Sequence, residues 1–335
     1  MWSRATVLGA LAFLAAAAVA PVAPAWIVSL ATISFANALV VLGLVILWRA
    51  GLVPFGQALH YATGAYSVAL IGRYAGIHDV FLLILAAAAC SGILAFLLGF
   101  LLARYREIFF AMLSLAMSMI LYGVLVKTET LGSTDGFHVE TAVLFGRPVV
   151  GLALFWLVLA VSGLAAFLVA AYFRSVAGML AVPIRDNEIR VEFLGLSVDR
   201  LVHLKLVISG TLAGIGGALA ALAIAHVDPS MSYWTTSGGF VFVTILAGTG
   251  SVAAPFVGSF AFELARSIAV DVMPDYWQMT LGAALLLTIL FLPEGIGSIF
   301  ARLRRARGKR ASRTDAIDLE PRLAEAEGRP AERAS

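Results

Sequence analysis

Long apolar runs follow one another along most of the sequence, and they restrict the environments in which the chain can fold. A helix needs about 20 apolar residues to cross the roughly 30 Å hydrocarbon core of a bilayer. Ten runs approach or reach that length: 5–20, 26–48, 57–75, 80–103, 108–126, 149–172, 203–225, 237–249, 252–270 and 277–296. Because the first and the eighth are short, we predict an all-α, polytopic integral membrane protein with about eight to ten transmembrane helices.

Charged residues are scarce and are concentrated near the end of the sequence. They make up 13% of the chain, and 61% of its residues are hydrophobic, whereas soluble domains are about 25% charged. Residues 301–335 hold 10 Lys and Arg against 6 Asp and Glu. We therefore expect a transmembrane domain at residues 1–300 and a basic, disordered cytoplasmic tail at residues 301–335. The composition excludes an ordinary soluble enzyme, a disordered protein and a nucleic-acid-binding protein.

The distribution of Lys and Arg predicts the orientation, because the cytoplasmic loops of membrane proteins are enriched in both. With the N-terminus inside and ten alternating spans, 19 of these residues fall inside and four outside. Both termini are therefore expected in the cytoplasm, in a multi-pass protein of the bacterial inner membrane. The run 5–20 also fits a cleaved signal peptide, since it follows Arg4 and precedes Pro21. A second apolar run follows at once, which favours a retained first span.

Motifs for catalysis, nucleotide binding or metal binding are missing from the sequence. It holds no G-x-x-x-x-G-K-[ST] phosphate-binding loop, and its five histidines show no metal-ligand spacing. We predict no catalytic residue, no cofactor and no metal. The single cysteine, Cys90, cannot form an intramolecular disulfide and is expected to be a small, buried apolar residue.

The apolar runs contain few ionisable residues. Their number and position indicate whether an ion gradient could drive transport. Five are placed at or near span ends: Arg73, Lys205, Glu263, Arg266 and Glu294. Inside the spans stand the polar but mostly neutral Asn37, Gln57 and His60. Proton- and ion-driven transporters usually carry a charged residue near the bilayer midplane. An ion-coupled secondary transporter or a passive channel for a small solute stays an alternative, and a membrane enzyme is a weaker one.

The charged loop 173–202, expected inside, contains the pattern of a short helix. Asp186 can cap a helix over 187–194, and Gly195 can end it in the left-handed conformation. Ile189 and Phe193 share one face of that helix, while Glu188 and Glu192 share another. A helix this short is not stable alone. It is therefore either a solvated connector between spans or an element that docks into a partner.

Glycines recur within the spans at helical spacing. Gly210 and Gly214 form a G-x-x-x-G pair, and small residues at this spacing let membrane helices approach closely. Helix packing is favoured over a functional role for this pair. A second polar loop, 127–148, is expected outside.

Five segments carry further motifs in a fixed order. They are GLVPFGQALHYATGAY at 51–66, FFAMLSLAMSMILYGVLVKTETLGSTDGF at 109–137, AVPIRDNEIRVEFLG at 181–195, LAGTGSVAAP at 246–255 and FLPEG at 291–295. They resemble the signatures of the permeases of branched-chain amino acid ABC importers of the LivM type, and the resemblance covers roughly residues 30–300. The family's A-I-R-D-N-E loop motif is almost intact here.

The resemblance implies the permease subunit of an ATP-driven importer, with no ATPase activity of its own. Such a permease forms half of a translocation path with a sister permease. Two cytoplasmic ATP-binding subunits and a periplasmic substrate-binding protein complete the assembly. The 187–194 helix then becomes the element that couples to the ATPases, through Arg185, Asp186, Asn187, Glu188, Ile189, Glu192, Phe193 and Gly195. The residues expected to line the substrate path are Asn37, Gln57, His60, Tyr61 and Gly64.

The sequence departs from the family pattern at positions that bear on the substrate. Pro54 stands where the family has Ser, Tyr61 where it has Phe, and Gly239 where many members carry an acidic residue. The family's T-G-G-S-D-G turn has two adjacent glycines, and this sequence has only one of them, in Leu131-Gly132-Ser133. Branched-chain amino acids are the default substrate, and urea, amides or other small solutes stay open.

Overall fold

The computed structural model describes residue 13, residues 17–272 and residues 274–291. Most of the run 5–20, the tail 301–335, Glu294 and most of the motif at 291–295 lie outside these residues, as does the end of the run 277–296. The division into residues 1–300 and 301–335 therefore stays a prediction.

Helices account for most of the described chain and follow the apolar runs closely. They are α1 (Ala25–Trp48), α2 (Gln57–Leu70, continued by a π turn at Ile71–Ala75), α3 (Val80–Leu102), α4 (Glu107–Lys127), α5 (Leu152–Tyr172), α6 (Val176–Met179), α7 (Ala181–Asp186), α8 (Glu188–Phe193), α9 (Val198–Ile224), α10 (Trp234–Ala247), α11 (Ala254–Val272) and α12 (Trp277–Phe291). Among the described residues, five helices are long and apolar enough to cross a membrane, namely α1, α3, α4, α5 and α9, and α10 is a shorter apolar helix. The prediction of an all-α polytopic membrane protein is confirmed.

The β-structure of the described chain is confined to short pairings. The strands are β1 (Phe137–His138), β2 (Val143–Leu144), β3 (Arg147–Pro148) and β4 (His226–Val227). β1 pairs with β4 and β2 with β3, both antiparallel. Two 3₁₀ turns, Glu129–Leu131 and Pro229–Ser232, accompany them. The predicted polar loop 127–148 contains three of these strands.

The two ends of the helix bundle differ in what they carry. Residues 173–197, which hold α6, α7 and α8, connect α5 to α9; we call them the three-helix loop. Arg106, before α4, contacts this loop, and Arg49, after α1, contacts both Phe173 and Thr249. We call this end, with the turns 49–56, 103–106 and 248–253, the loop end. The strands lie at the opposite end.

Helices α1 and α9 form the centre of the bundle. α9 packs against α1, α2 and α3, while α1 also packs against α5 and α11. Residues 38–47 of α1 are buried without interruption, because neighbours surround the helix on all sides. A helix that is apolar all round is typical of such a position.

Glycines bring α9 into backbone contact with its neighbours. A Cβ placed on Gly64 would overlap the carbonyl oxygen of Gly214, and one on Gly217 would overlap that of Tyr61. A Cβ on Gly210 would lie 2.5 Å from the Cβ of Ala95. The predicted packing role of Gly210 and Gly214 is confirmed. We call this set of contacts between α9, α2 and α3 the glycine seam.

Helix α3 turns a large apolar face outward. Phe81, Leu85 and Phe100 are 54%, 67% and 55% exposed. Cys90 is also exposed on this helix, so the prediction that it is buried is wrong. The whole run 80–103 is apolar, so hydrophobicity alone cannot tell its protein-facing from its outward-facing positions.

Candidate functional site

The three-helix loop is fixed to the bundle through a few buried apolar residues. Ala181, Ile184 and Val191 are at most 2% exposed and pack in one cluster with Val198 and Val202 at the start of α9. Helices of four to six residues are not stable alone. Burial of one or two side chains per helix therefore holds this loop in place.

The cap of α8 differs from the predicted one. Asn187 is the N-cap, and its Oδ1 accepts a hydrogen bond from the backbone N of Arg190 at 3.2 Å. Asp186 is the last residue of α7, so the prediction that Asp186 caps the helix is wrong. α7 keeps Asp186 helical, and only Asn187 has the extended backbone that an N-cap requires. The helix covers 188–193 rather than 187–194.

Gly195 ends this segment as the sequence predicts. Its φ is +80°, and its backbone N donates to the carbonyl oxygen of Glu192 at 2.8 Å. A Cβ at this position would meet no atom within 4 Å. Only the backbone conformation therefore favours glycine here.

The face of α8 that carries Ile189 and Phe193 is open. Ile189 is 63% exposed and Phe193 is 87% exposed, whereas Val191 on the same helix is 1% exposed. Further exposed apolar residues of the loop are Val176, Met179, Val182 and Leu194. Exposed apolar residues gathered in one segment are typical of a surface that binds another protein.

Arg106 ties α8 to the spans. Its Nε lies 2.6 Å from Glu188 Oε1, and its Nη2 lies 3.0 Å from Asp199 Oδ1. Its Nη1 also donates to the carbonyl oxygens of Ala103 and Tyr105. One guanidinium thus joins the first turn of α8, the first turn of α9 and the turn between α3 and α4.

Two more cations hold other parts of the loop. Lys205 of α9 is fully buried, and its Nζ donates to the carbonyl oxygen of Ala177 in α6 at 3.0 Å. Arg185 of α7 covers Gly51, because a Cβ on Gly51 would lie 2.9 Å from Arg185 Cγ. Asp186 pairs with Arg185 at 3.5 Å.

Arg49 connects the G-T-G-S turn to the bundle. Its Nε and Nη2 donate to the carbonyl oxygen of Thr249 at 3.1 and 3.0 Å. Its guanidinium lies 4.0 Å from the ring centroid of Phe173, at the end of α5. Burial lowers the pKa of Arg49 from its usual value. The ends of α1, α5 and α10 therefore meet at one side chain.

Two of the residues predicted for the substrate path lie beside the glycine seam. Gln57 Nε2 donates to the carbonyl oxygen and to Oγ of Ser209, at 3.2 and 3.0 Å. His60 is 7% exposed, and its Nδ1 has no hydrogen-bond partner. A cavity of about 20 Å³ lies between them, lined also by Ser114 and Leu206. That volume is enough for one water molecule.

Two other predicted path residues pack tightly. Gly64 faces the backbone of Gly214 in the glycine seam. The ring of Tyr61 meets that of Phe240 edge to face, with 5.1 Å between centroids. Their roles in the path stay predictions.

Asn37, the fifth predicted path residue, contacts a carboxylate. Its Nδ2 donates to Glu263 Oε1 at 3.0 Å, and its own Oδ1 is buried without a hydrogen-bond partner. Glu263 is the middle residue of α11, so the prediction that it lies near a span end is wrong. Arg266 Nη1 lies 3.7 Å from Glu263 Oε2. The predicted run 252–270 differs from α11 by two residues at each end, so the sequence already held the signal that Glu263 lies in the middle of this helix.

In the described part of the chain, no three His, Cys, Asp or Glu side chains come together closely enough to hold a metal ion. The site thus consists of an anchored loop with an open apolar face, and of polar residues within the spans.

The sequence profile of a family described as "Branched-chain amino acid transport system / permease component" matches residues 26–290. The chain belongs to this family. The resemblance of the sequence motifs is therefore confirmed, and the chain is a multi-pass membrane protein of a transport permease family.

Curated relatives of this permease carry matching descriptions. It is 28% identical over 300 residues to the high-affinity branched-chain amino acid transport system permease protein LivM of Escherichia coli (strain K12), covering 80% of this chain and 69% of the relative. The LivM protein of Salmonella typhimurium is also 28% identical, over 298 residues. LivH of Escherichia coli is 25% identical over 104 residues, which is 31% of this chain and 33% of LivH. No solved structure gives a significant match.

Sequence reasoning about the permease missed the residues that hold the loop. Arg106, Lys205 and Arg49 were counted for orientation, but their partners are distant in sequence. Charged residues at or inside membrane spans are usually paired with other polar groups. This rule predicts that the three residues bind something within the protein, but it does not identify the groups that they bind.

Proposed function

We propose that this chain is the permease subunit of an ATP-driven ABC importer for branched-chain amino acids in the bacterial inner membrane. It forms half of the translocation path with a sister permease. Two ATP-binding subunits dock on one side and a substrate-binding protein on the other. Support comes from the family membership and from the descriptions of the LivM and LivH relatives.

The orientation that we propose puts the three-helix loop and both termini in the cytoplasm. It rests on the excess of Lys and Arg that this topology assigns to the inside, 19 against four. The ATP-binding subunits then meet the loop, and the strand-bearing end faces the periplasm and the binding protein.

The exposed pair Ile189 and Phe193 is the observation that carries the coupling role. The two side chains are 63% and 87% exposed on a helix whose other side is anchored. Burying each in a groove of an ATP-binding subunit stabilises the complex by roughly 1.5–3 kcal/mol. When ATP binding moves that subunit, α8 moves with it, and Arg106 and Lys205 carry the displacement to α4, α9 and the rest of the bundle.

A matched pair of variants tests this role. Phe193→Asp should leave the permease in the membrane at its normal level, but the ATP-binding subunits should co-purify poorly and ATP-driven leucine uptake should fall. Phe145→Asp is the control, because Phe145 is 90% exposed in the β2–β3 turn at the opposite end. Normal uptake by Phe193→Asp, or loss of the folded protein, would contradict a coupling role.

A second candidate function is an ion-coupled secondary transporter, which the carboxylate of Glu263, at the middle of the largely apolar helix α11, favours. Vesicles that contain this chain alone distinguish the two. Uptake driven by an ion gradient without ATP would support the secondary transporter. ATP-dependent uptake that requires the partner subunits supports the importer.

A further inference from the structure

An outward surface of the bundle lies where α3 meets α9 near the loop end. Gly99 of α3 packs against His203 of α9, since a Cβ on Gly99 would lie 2.9 Å from the imidazole ring. That ring contacts both Phe96 and Phe100, with 5.1 and 4.6 Å between centroids. We call this the α3–α9 surface, and the proposed coupling route does not use it.

The apolar part of this surface is open. Phe96, Leu97 and Phe100 of α3 are 48%, 59% and 55% exposed, and Leu204 of α9 is 44% exposed. Both helices are long and apolar enough to cross a membrane. Lipid tails are as apolar as a leucine side chain, so this part of the surface is suited to contact with acyl chains.

Tyr105 marks the level at which this surface reaches the edge of the bilayer. It follows the end of α3 at Leu102 and is 42% exposed. In membrane proteins, tyrosine and tryptophan are enriched at the level of the lipid headgroups. Arg104, next to Tyr105, and Arg200, in the first turn of α9, are therefore close to the level of the lipid phosphates.

These two arginines have no anionic partner in the part of the chain that the structure describes. Arg104 and Arg200 are both exposed, and neither forms an ion pair with a described residue. The nearby carboxylates of Glu188 and Asp199 are held by Arg106 instead. Both guanidinium groups therefore keep their side-chain donors for an anion that comes from outside the chain.

The order of side chains along α9 matches one kind of anion. Arg200, His203 and Leu204 share a face of the helix, so a cation is followed by an aromatic ring and then by an apolar side chain. An anionic phospholipid has the complementary order, with its phosphate at one end of its acyl chains. Arginine is suited to phosphate because its planar guanidinium donates several N–H groups. Glu107, exposed at the start of α4, is one carboxylate against the two free arginines.

We propose that Arg104 and Arg200 bind the phosphate of an anionic phospholipid whose acyl chains lie on Phe96 and Phe100. The lipid connects the end of α3 to the start of α9, where the three-helix loop is also attached, and so stabilises the loop end. The site requires a bilayer that contains anionic lipid. It does not depend on the identity of the transported solute or on the partner subunits.

Lipid binding to the purified protein is the first test. The permease is extracted in a neutral detergent with the subunits that accompany it, and fluorescent phosphatidylglycerol is titrated into it. We expect the double variant Arg104→Gln/Arg200→Gln to weaken binding at least about tenfold. Lys127→Gln/Arg147→Gln removes the same charge at exposed positions of the opposite end and should leave binding unchanged. Equal melting temperatures before lipid is added show that both double variants are folded.

Competition on the wild-type protein is the second test, and it needs no variant. Unlabelled phosphatidylglycerol should displace the fluorescent lipid, whereas zwitterionic phosphatidylcholine and inorganic phosphate should displace it poorly. Displacement by phosphatidylcholine as strong as that by phosphatidylglycerol would show contact with acyl chains alone, and equally strong displacement by inorganic phosphate would show a site for a free anion. Either result would overturn the lipid site.

The variants also distinguish lipid from protein as the occupant. Equal binding of fluorescent phosphatidylglycerol by the two double variants would overturn the site. If Arg104→Gln/Arg200→Gln kept its lipid binding but lost the subunits that accompany the wild-type protein, the two arginines would belong to a protein contact instead.

Discussion

The two halves of α9 are held in different ways. From Ser209 to Ala221 the helix is buried and meets its neighbours through the glycine seam, with backbone against backbone. From Val198 to Lys205 it is joined to the three-helix loop by a small apolar cluster around Val198 and Val202 and by the long charged side chains of Arg106 and Lys205. Close packing leaves a helix little room to shift, whereas long side chains can keep a contact through a displacement. From this difference we expect the seam to act as a rigid scaffold and the loop end to be the part that moves during transport.

The largest expected effect comes from breaking the seam. Gly64→Leu would drive a side chain into the backbone of Gly214, which cannot give way. Because overpacking costs about 1–3 kcal/mol or more, we expect this variant to be nearly absent from the membrane. Gly123→Leu, where an added Cβ meets no atom within 4 Å, should accumulate normally. Immunoblots of membranes measure both.

The result also bears on the predicted place of Gly64 in the substrate path. A Gly64→Leu variant that accumulates but does not transport would favour the path. Loss of the protein would favour packing.

Removing a charge from the loop end should have a smaller effect. Lys205 is fully buried, and its Nζ donates to the carbonyl oxygen of Ala177. Lys205→Met removes a buried charge but leaves the carbonyl oxygen of Ala177 without its donor, which costs about 1–3 kcal/mol, so we expect Lys205→Met to accumulate at a moderately reduced level. In this variant α6 loses its hydrogen bond to α9, so trypsin should cut the three-helix loop at Arg185 faster than in the wild-type protein. Lys127→Met, at the exposed end of α4, is the control; equal cleavage rates in the two variants would contradict the tie.

The link between α8 and α4 should matter for coupling more than for stability. Arg106→Gln removes the ion pairs with Glu188 and Asp199, which are partly exposed and so contribute about 1 kcal/mol or less to stability. We expect a near-normal melting temperature, with ATP hydrolysis that no longer responds fully to the binding protein. Arg190→Gln, an exposed arginine on α8, should behave as wild type. Full coupling in Arg106→Gln would show that the displacement travels by another route.

The same contrast explains which features the sequence predicted. The helices agree with the apolar runs because hydrophobicity determines directly which segments enter the membrane. Gly195 adopts the left-handed conformation because ending a helix in this way depends on the local backbone alone. Asp186 and Asn187 are both good caps, and only the tertiary position of α7 decides between them. Glu188, which pairs with Arg106, and Asn37, which donates to Glu263, lie on other helices, so no local pattern could name them.

The smallest expected effect is at Gly195, and its control is an unusually close match. Gly195 and Gly146 have φ of +80° and +78°, and an added Cβ meets no atom within 4 Å at either position. Substitution by Ala should therefore lower the stability of the protein by about the same amount at each position, roughly 1–2 kcal/mol of backbone strain. Gly195 follows α8 at the loop end, whereas Gly146 lies in the β2–β3 turn. If the loop end is the moving part, Gly195→Ala should lower ATP-driven uptake and Gly146→Ala should not, at equal melting temperatures. Equal uptake by the two variants would mean that the conformation of Gly195 serves stability alone.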